Sequence, residues 1–131
     1  MGIRTGVLAI QAGTVITASG DSRSLQGNNP GGIPYQQGLP VEAHDVLAVD
    51  ISVTALAGTA PTVQFFYDRQ GLDGVWYPVY NTPVMSAAGN QSTTLAGANS
   101  ASQEFGFIGR LRWVVAGTTP SITFSASITG K

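Results

Sequence analysis

A nine-residue motif occurs twice in this chain. Ala57-Gly-Thr-Ala-Pro-Thr-Val-Gln-Phe65 and Ala116-Gly-Thr-Thr-Pro-Ser-Ile-Thr-Phe124 align without a gap, 59 positions apart. Both copies lie between β-rich runs. Before the first, Leu47, Val49, Ile51, Val53 and Ala55 alternate with Ala48, Asp50, Ser52 and Thr54, the period of a half-buried strand. After it, Val63, Phe65 and Tyr67 alternate with Gln64, Phe66 and Asp68. Around the second copy, Leu111, Trp113 and Val115 oppose Arg110 and Arg112, and Ile122, Phe124 and Ala126 oppose Thr123, Ser125 and Ser127. The pattern predicts two hairpins of one design, with Gly58 and Gly117 at equivalent corners. A hairpin cannot bury its apolar face alone, so the two should pack together or close into one sheet. Upstream of the motif the copies fall out of phase. Shifted by 59, Ile51 lands on Arg110 and Ser52 on Leu111, which predicts a bulge or a different loop closure in one of them. Two units are too few for a solenoid; the expectation is one domain with internal pseudo-symmetry.

The rest of the chain adds strands and turns. Residues 3–19 carry a weak strand pattern through Val7, Ala9, Val15 and Thr17, interrupted by Gly13. Residues 20–40 are rich in Gly, Pro, Asn and Ser, with Leu25, Ile33 and Tyr35 as isolated larger apolar side chains. Such a long aperiodic stretch is either a surface loop or an extended arm that lays Ile33 and Tyr35 on a neighbouring subunit. Asp73-Gly74 marks a tight turn before Trp76, and Pro78 makes the following strand an edge or an irregular one. Residues 88–102 are polar and glycine-rich; Phe105 and Phe107 then alternate with Glu104, Gly106 and Ile108. No amphipathic helix of ten residues is present. These signals predict an all-β fold of roughly seven to nine strands, a single β-sandwich or jelly-roll-like domain. Residues 1–40 are read as an N-terminal strand and irregular arm, and 41–131 as the sandwich. The residues expected in the core are Val49, Ile51, Val53, Phe65, Leu111, Trp113 and Phe124.

Charge narrows the function. Asp, Glu, Lys and Arg make up 10% of 131 residues, with a formal net charge of −1. Ordinary soluble domains carry roughly 25%. No basic stretch could neutralise a run of phosphates, so no nucleic-acid partner is expected. No signal peptide, membrane-spanning segment or myristoylation site is read at the N-terminus, and no membrane partner is expected. Cysteine is absent, which removes disulfide frameworks, thiolate metal sites and cysteine nucleophiles. His44 is the single histidine and cannot build a multi-histidine zinc site; a structural role is expected. No nucleophile elbow, dinucleotide fingerprint or phosphate-binding loop occurs. Asp50, Asp68 and Asp73 could offer oxygen ligands to a cation, but turn-capping is the simpler reading. No catalytic residue, cofactor or metal is expected, and the chain is read as no enzyme.

What remains are surfaces. Trp113 alternates with Arg110 and Arg112 and is read as core; Trp76 is either a core lid or an exposed aromatic platform of the kind sugars stack on. Arg110 and Arg112 share one strand face, either solvated or pairing with Glu42, Asp45 or Asp50 of a neighbouring subunit. Phe66, Val114 and Ile108 break the polar side of the strand alternation, as they would if a second surface covered them. Leu25, Ile33, Tyr35, Phe66, Arg110 and Arg112 are therefore the candidate interface residues.

The run Val49–Phe65, then Asp73-Gly74-x-Trp76, then Leu111–Phe124 resembles small β-sandwich structural proteins of tailed bacteriophages, the capsid decoration and head- or tail-associated proteins. The resemblance covers about residues 45–130. It implies a non-enzymatic virion protein, most simply a capsid decoration or cement protein assembled in the host cytoplasm. Its partners would be itself, as a homo-oligomer with a trimer favoured, and the major capsid or another virion protein. A tail- or baseplate-associated module and a carbohydrate-binding module are the alternatives.

Overall fold

The computed structural model describes residues 5–28, 32, 34–41, 44, 46–96 and 108–131. Ile33, Glu42, Asp45, Glu104, Phe105 and Phe107 lie outside the described residues. Among the described residues seven strands run in chain order: β1 (Thr5–Ile16), β2 (Gly20–Asp21), β3 (Leu39–Pro40), β4 (Val46–Gln70), β5 (Trp76–Asn81), β6 (Gly89–Ala96) and β7 (Ile108–Gly130). Short 3₁₀ turns at Ser22–Ser24 and Tyr35–Gln37 are the helical elements among the described residues.

The repeated motif does not reverse the chain. Each copy lies inside one very long strand, and these two strands, β4 and β7, pair antiparallel from Leu47↔Gly130 to Arg69↔Gly109. The expected hairpins are thus replaced by two bent strands that take each other as partners. Thr59 faces Thr118 at the centre of the ladder. A pseudo-two-fold axis passes there, because exchanging the copies exchanges the two strands. At the bend Gly58 and Gly117 have φ of 111° and 117°, and Ala60 and Thr119 follow at 51° and 47°. Positive φ is uncommon outside glycine and disfavoured for a β-branched residue such as threonine. Its recurrence at matching places shows one local geometry built twice.

Each bend also locks into the other. A Cβ on Gly58 would lie 2.7 Å from the Thr119 carbonyl oxygen, and one on Gly117 would lie 2.9 Å from that of Ala60. Backbone atoms cannot yield as a flexible side chain can. We expect Gly58→Ala and Gly117→Ala each to cost about 1–3 kcal/mol, read as similar drops in urea midpoint. Gly13→Ala, also at positive φ but with nothing within 4 Å of the added methyl, should cost less. Unequal effects at the two bends would show that the symmetry is geometric but not energetic.

Bending divides the sheet into two layers. The first half of β4 pairs with β6 on one side and the last half of β7 on the other, and that half of β7 continues to β1. The second half of β4 pairs with β5, while the first half of β7 takes β2 and β3. The two halves close over one core, with the Phe65 and Phe124 rings 5.1 Å apart and Trp113 set edge-on to Phe124 at 5.6 Å. This is an all-β sandwich. Val49, Ile51, Val53, Phe65, Leu111, Trp113 and Phe124 are all buried. The loss of phase between the copies has a local cause: the register slips between Val53 and Ala55, where β4 carries one more residue than β7.

Within the N-terminal forty residues, β1, β2 and β3 pair with β7 in this sandwich. β1 supplies Val7, Leu8, Ile10 and Ile16 to the core. The expected arm likewise lies, in its described part, on its own chain. Leu25 and Tyr35 pack against the core, the Tyr35 hydroxyl donates to the Ala9 carbonyl, and Ser22 Oγ accepts from Leu111 N at 3.1 Å.

Candidate interaction surface

Strand register places the charged residues. On the outer face of the second layer, Asp68 of β4 stands opposite Arg110 of β7, Phe66 opposite Arg112, and Arg112 opposite Asp21 of β2. Alternation alone would leave these groups in water. Instead they cover one another, and the Asp68 side chain is 1% exposed. Asp68 Oδ2 accepts from Arg110 Nε at 2.9 Å and from Arg112 Nε at 2.7 Å, and Oδ1 accepts from Arg112 Nη2 at 3.3 Å. Arg110 Nη1 also donates to Asp21 Oδ2 at 3.1 Å, while Asp21 Oδ1 accepts from the Arg23 backbone N at 2.8 Å. The Arg23 guanidinium lies 3.5 Å from the same oxygen.

Aromatic rings complete the cluster. The guanidiniums of Arg23 and Arg110 lie 4.8 Å and 4.5 Å from the centre of the Trp76 ring, and that of Arg112 lies 4.0 Å from the centre of Phe66. Such stacking favours arginine, whose flat and weakly hydrated cation loses little on contact with a ring. Beneath this face, burial raises the Tyr67 phenol above its ordinary pKa, and the Asp68 charge adds to the effect. Three of the chain's six basic residues and two of its seven acids meet in this one network.

The network gives three of the candidate interface residues partners within the chain. Arg110 and Arg112 meet acids of their own chain, Asp68 and Asp21. Phe66 is half-buried under Arg112. The other acids among the described residues are also engaged. Asp73 caps its turn by accepting from Val75 N at 3.0 Å and from the Tyr77 hydroxyl at 2.6 Å, bonds that hold its carboxyl below the usual range. Asp50 accepts from Ser92 Oγ. The His44 ring packs on the backbone at Gly130. Among the described residues no three acids or histidines gather as a metal site.

Sequence reasoning missed the partner of the arginine pair. Laying the two motif copies against each other with Thr59 facing Thr118 brings Asp68 opposite Gly109; a one-residue slip between Thr59 and Thr62 moves it opposite Arg110. Trp76 is half-buried, and two guanidiniums occupy its ring, so it offers no free platform. Exposed apolar side chains gather elsewhere, at the β4–β5 turn, where Leu72 is 92% exposed beside Val75 and Tyr77.

Comparison with known proteins gives the fold a context. No protein-family profile matches the chain, and no curated protein matches it. In solved structures the chain is similar over its whole length to 84% of a chain from the Cowpea mosaic virus top component, naturally occurring empty particles, at 10% identity and a TM-score of 0.52. A chain of the Cowpea mosaic virus empty virus-like particle matches 100% of this chain over 81% of its own, at 10% identity and 0.50. A chain of Broad Bean Stain Virus matches 97% of this chain over 85% of its own, at 15% identity and 0.49. At these identities the likeness is one of fold. It is a β-sandwich that virus particles also use.

Proposed function

We propose that this chain is a non-enzymatic structural subunit of a virus particle, and within that class a capsid decoration or cement protein. The supporting observation is the match in fold, over the full length of this chain, to chains of empty virus particles. The low charge favours a surface that lies against protein over one that repels it. Arg110 and Arg112, paired with Asp68 and Asp21 within the chain, present a neutralised face instead of loose cations. In this reading the protein works as a homo-oligomer, a trimer, held on the lattice of the major capsid protein, and its location is the virion.

Co-sedimentation with purified empty capsids tests the reading. Binding that saturates at a fixed number of copies per capsid is expected. Binding to tails but not capsids would move the protein to the tail. A change in Trp76 fluorescence with polysaccharide, without particle binding, would replace the proposal by a carbohydrate-binding role.

A further inference from the structure

The structure assigns the outer edge of β6 as a pairing edge for a second copy of this chain. The sandwich has four edges among the described residues, and three carry devices that prevent a strand from adding there. β5 is six residues long, contains Pro78 and has a register slip opposite Tyr67 and Asp68. The edge formed by β2 and β3 consists of two-residue strands. β1 is long, but its register slips twice, between Gly6 and Leu8 and between Ile10 and Thr14, with Gly13 at φ 88° in the second slip.

β6 has none of these. Its eight residues, GNQSTTLA, pair with β4 without a slip from Val46↔Ala96 to Val53↔Gly89. They include no proline and no charge. Among the described residues no strand pairs with the outer side of β6, and a regular strand of this length presents there a row of N–H and C=O groups spanning about 27 Å, the arrangement that invites another strand.

Chemistry selects the occupant. A two-fold axis across this edge sets β6 antiparallel to its own copy, so each residue meets a residue of the same short neutral set. Ser and Thr pair well across strands, and no like charges face each other. The nearest charge on the ladder, Asp50 on the inner neighbour β4, accepts a hydrogen bond from Ser92 of β6. Across the junction two such carboxylates would stand three strand spacings apart, roughly 14 Å, beyond the screening length of about 8 Å at physiological salt. The contact is self-complementary and continues the sheet into the second copy. One strand pair buries less than the roughly 1,200 Å² of a standard interface, so the junction is weak alone and gains strength by repetition on an assembly. It is a property of the isolated chain; failure of particle binding leaves it standing, and its own failure leaves the particle reading standing.

The chain has no cysteine, so single cysteines at positions 90, 91, 92, 93 and 94 report on this edge without background. Each variant is oxidised at high concentration and the covalent dimer is measured, with circular dichroism to confirm the fold. A two-fold junction gives one maximum, at the position nearest the axis, falling away on both sides. Adding Thr94→Lys to the best variant, or Asn90→Lys where the cysteine is at 94, should lower the yield roughly tenfold. Val15→Lys on the β1 edge should leave it unchanged. Equal yields at all five positions, no dimer at any, or the same loss with Val15→Lys would overturn the proposal.

Discussion

Trp113→Ala is expected to destabilise the protein by about 3–5 kcal/mol, with a fall in Tm on the order of 10–20 °C. Trp113 is 2% exposed and stands where the layers meet, edge-on to Phe124 and opposite Phe65 on the ladder. Truncation loses the transfer free energy of an indole and leaves a cavity that β7 cannot close. Its neighbours Arg110 and Arg112 hold the strand in place through Asp68 on the other face. Trp113→Phe should cost clearly less, since it keeps an aromatic edge towards Phe124. Urea denaturation with the slope compared between variants is the measurement. A midpoint unchanged by Trp113→Ala would mean that the layers do not close over this residue.

This substitution also shows what the sequence made legible. Alternation is a local property, and it identified the buried face of both long strands, down to the phase slip that the extra residue near Thr54 explains. The chain path was another matter. A glycine at positive φ followed by a proline serves a chain reversal and a strand bend equally well, and the motif carries no local signal that separates them. The choice is made by partners. Here each flank pairs with the other copy of the motif instead of its own, giving strands of 25 and 23 residues where most span 3–10.

The candidate surface was half legible for the same reason. Arg110 and Arg112 could be placed on one face from spacing alone. Their acid lay 42 and 44 residues upstream, and only the β4–β7 register joins them. The intrachain contacts of Leu25 and Tyr35 were hidden for a related cause. Isolated apolar residues in an aperiodic segment show that something covers them, and it is the fold that makes the cover their own chain.

Breaking the arginine cluster at its centre should have the second large effect. Asp68→Asn keeps the size of the side chain and removes the charge, leaving Arg110 and Arg112 beside each other without their shared acid. Breaking a buried ion pair from one side costs 3–5 kcal/mol as a rule. Arg110 and Arg112 retain 15% and 29% side-chain exposure, so water relieves part of the loss. The expected cost is therefore about 3 kcal/mol. Asp21→Asn should cost about 1 kcal/mol, because Asp21 is itself partly exposed and Arg110 keeps Asp68. The ranking separates a buried hub from a surface ion pair, and so does salt. Added salt should weaken the Asp21 contribution more than that of Asp68, since buried pairs are poorly screened. A third variant isolates the cause: Asp68→Leu combined with Arg110→Met and Arg112→Met removes the charges together and should recover much of the lost stability. Equal costs for Asp68→Asn and Asp21→Asn would show that the carboxylate under the arginines is not the centre of the network. A triple variant as unstable as Asp68→Asn alone would show that removing the charges together recovers nothing, and would overturn the assignment of the loss to unpaired charge.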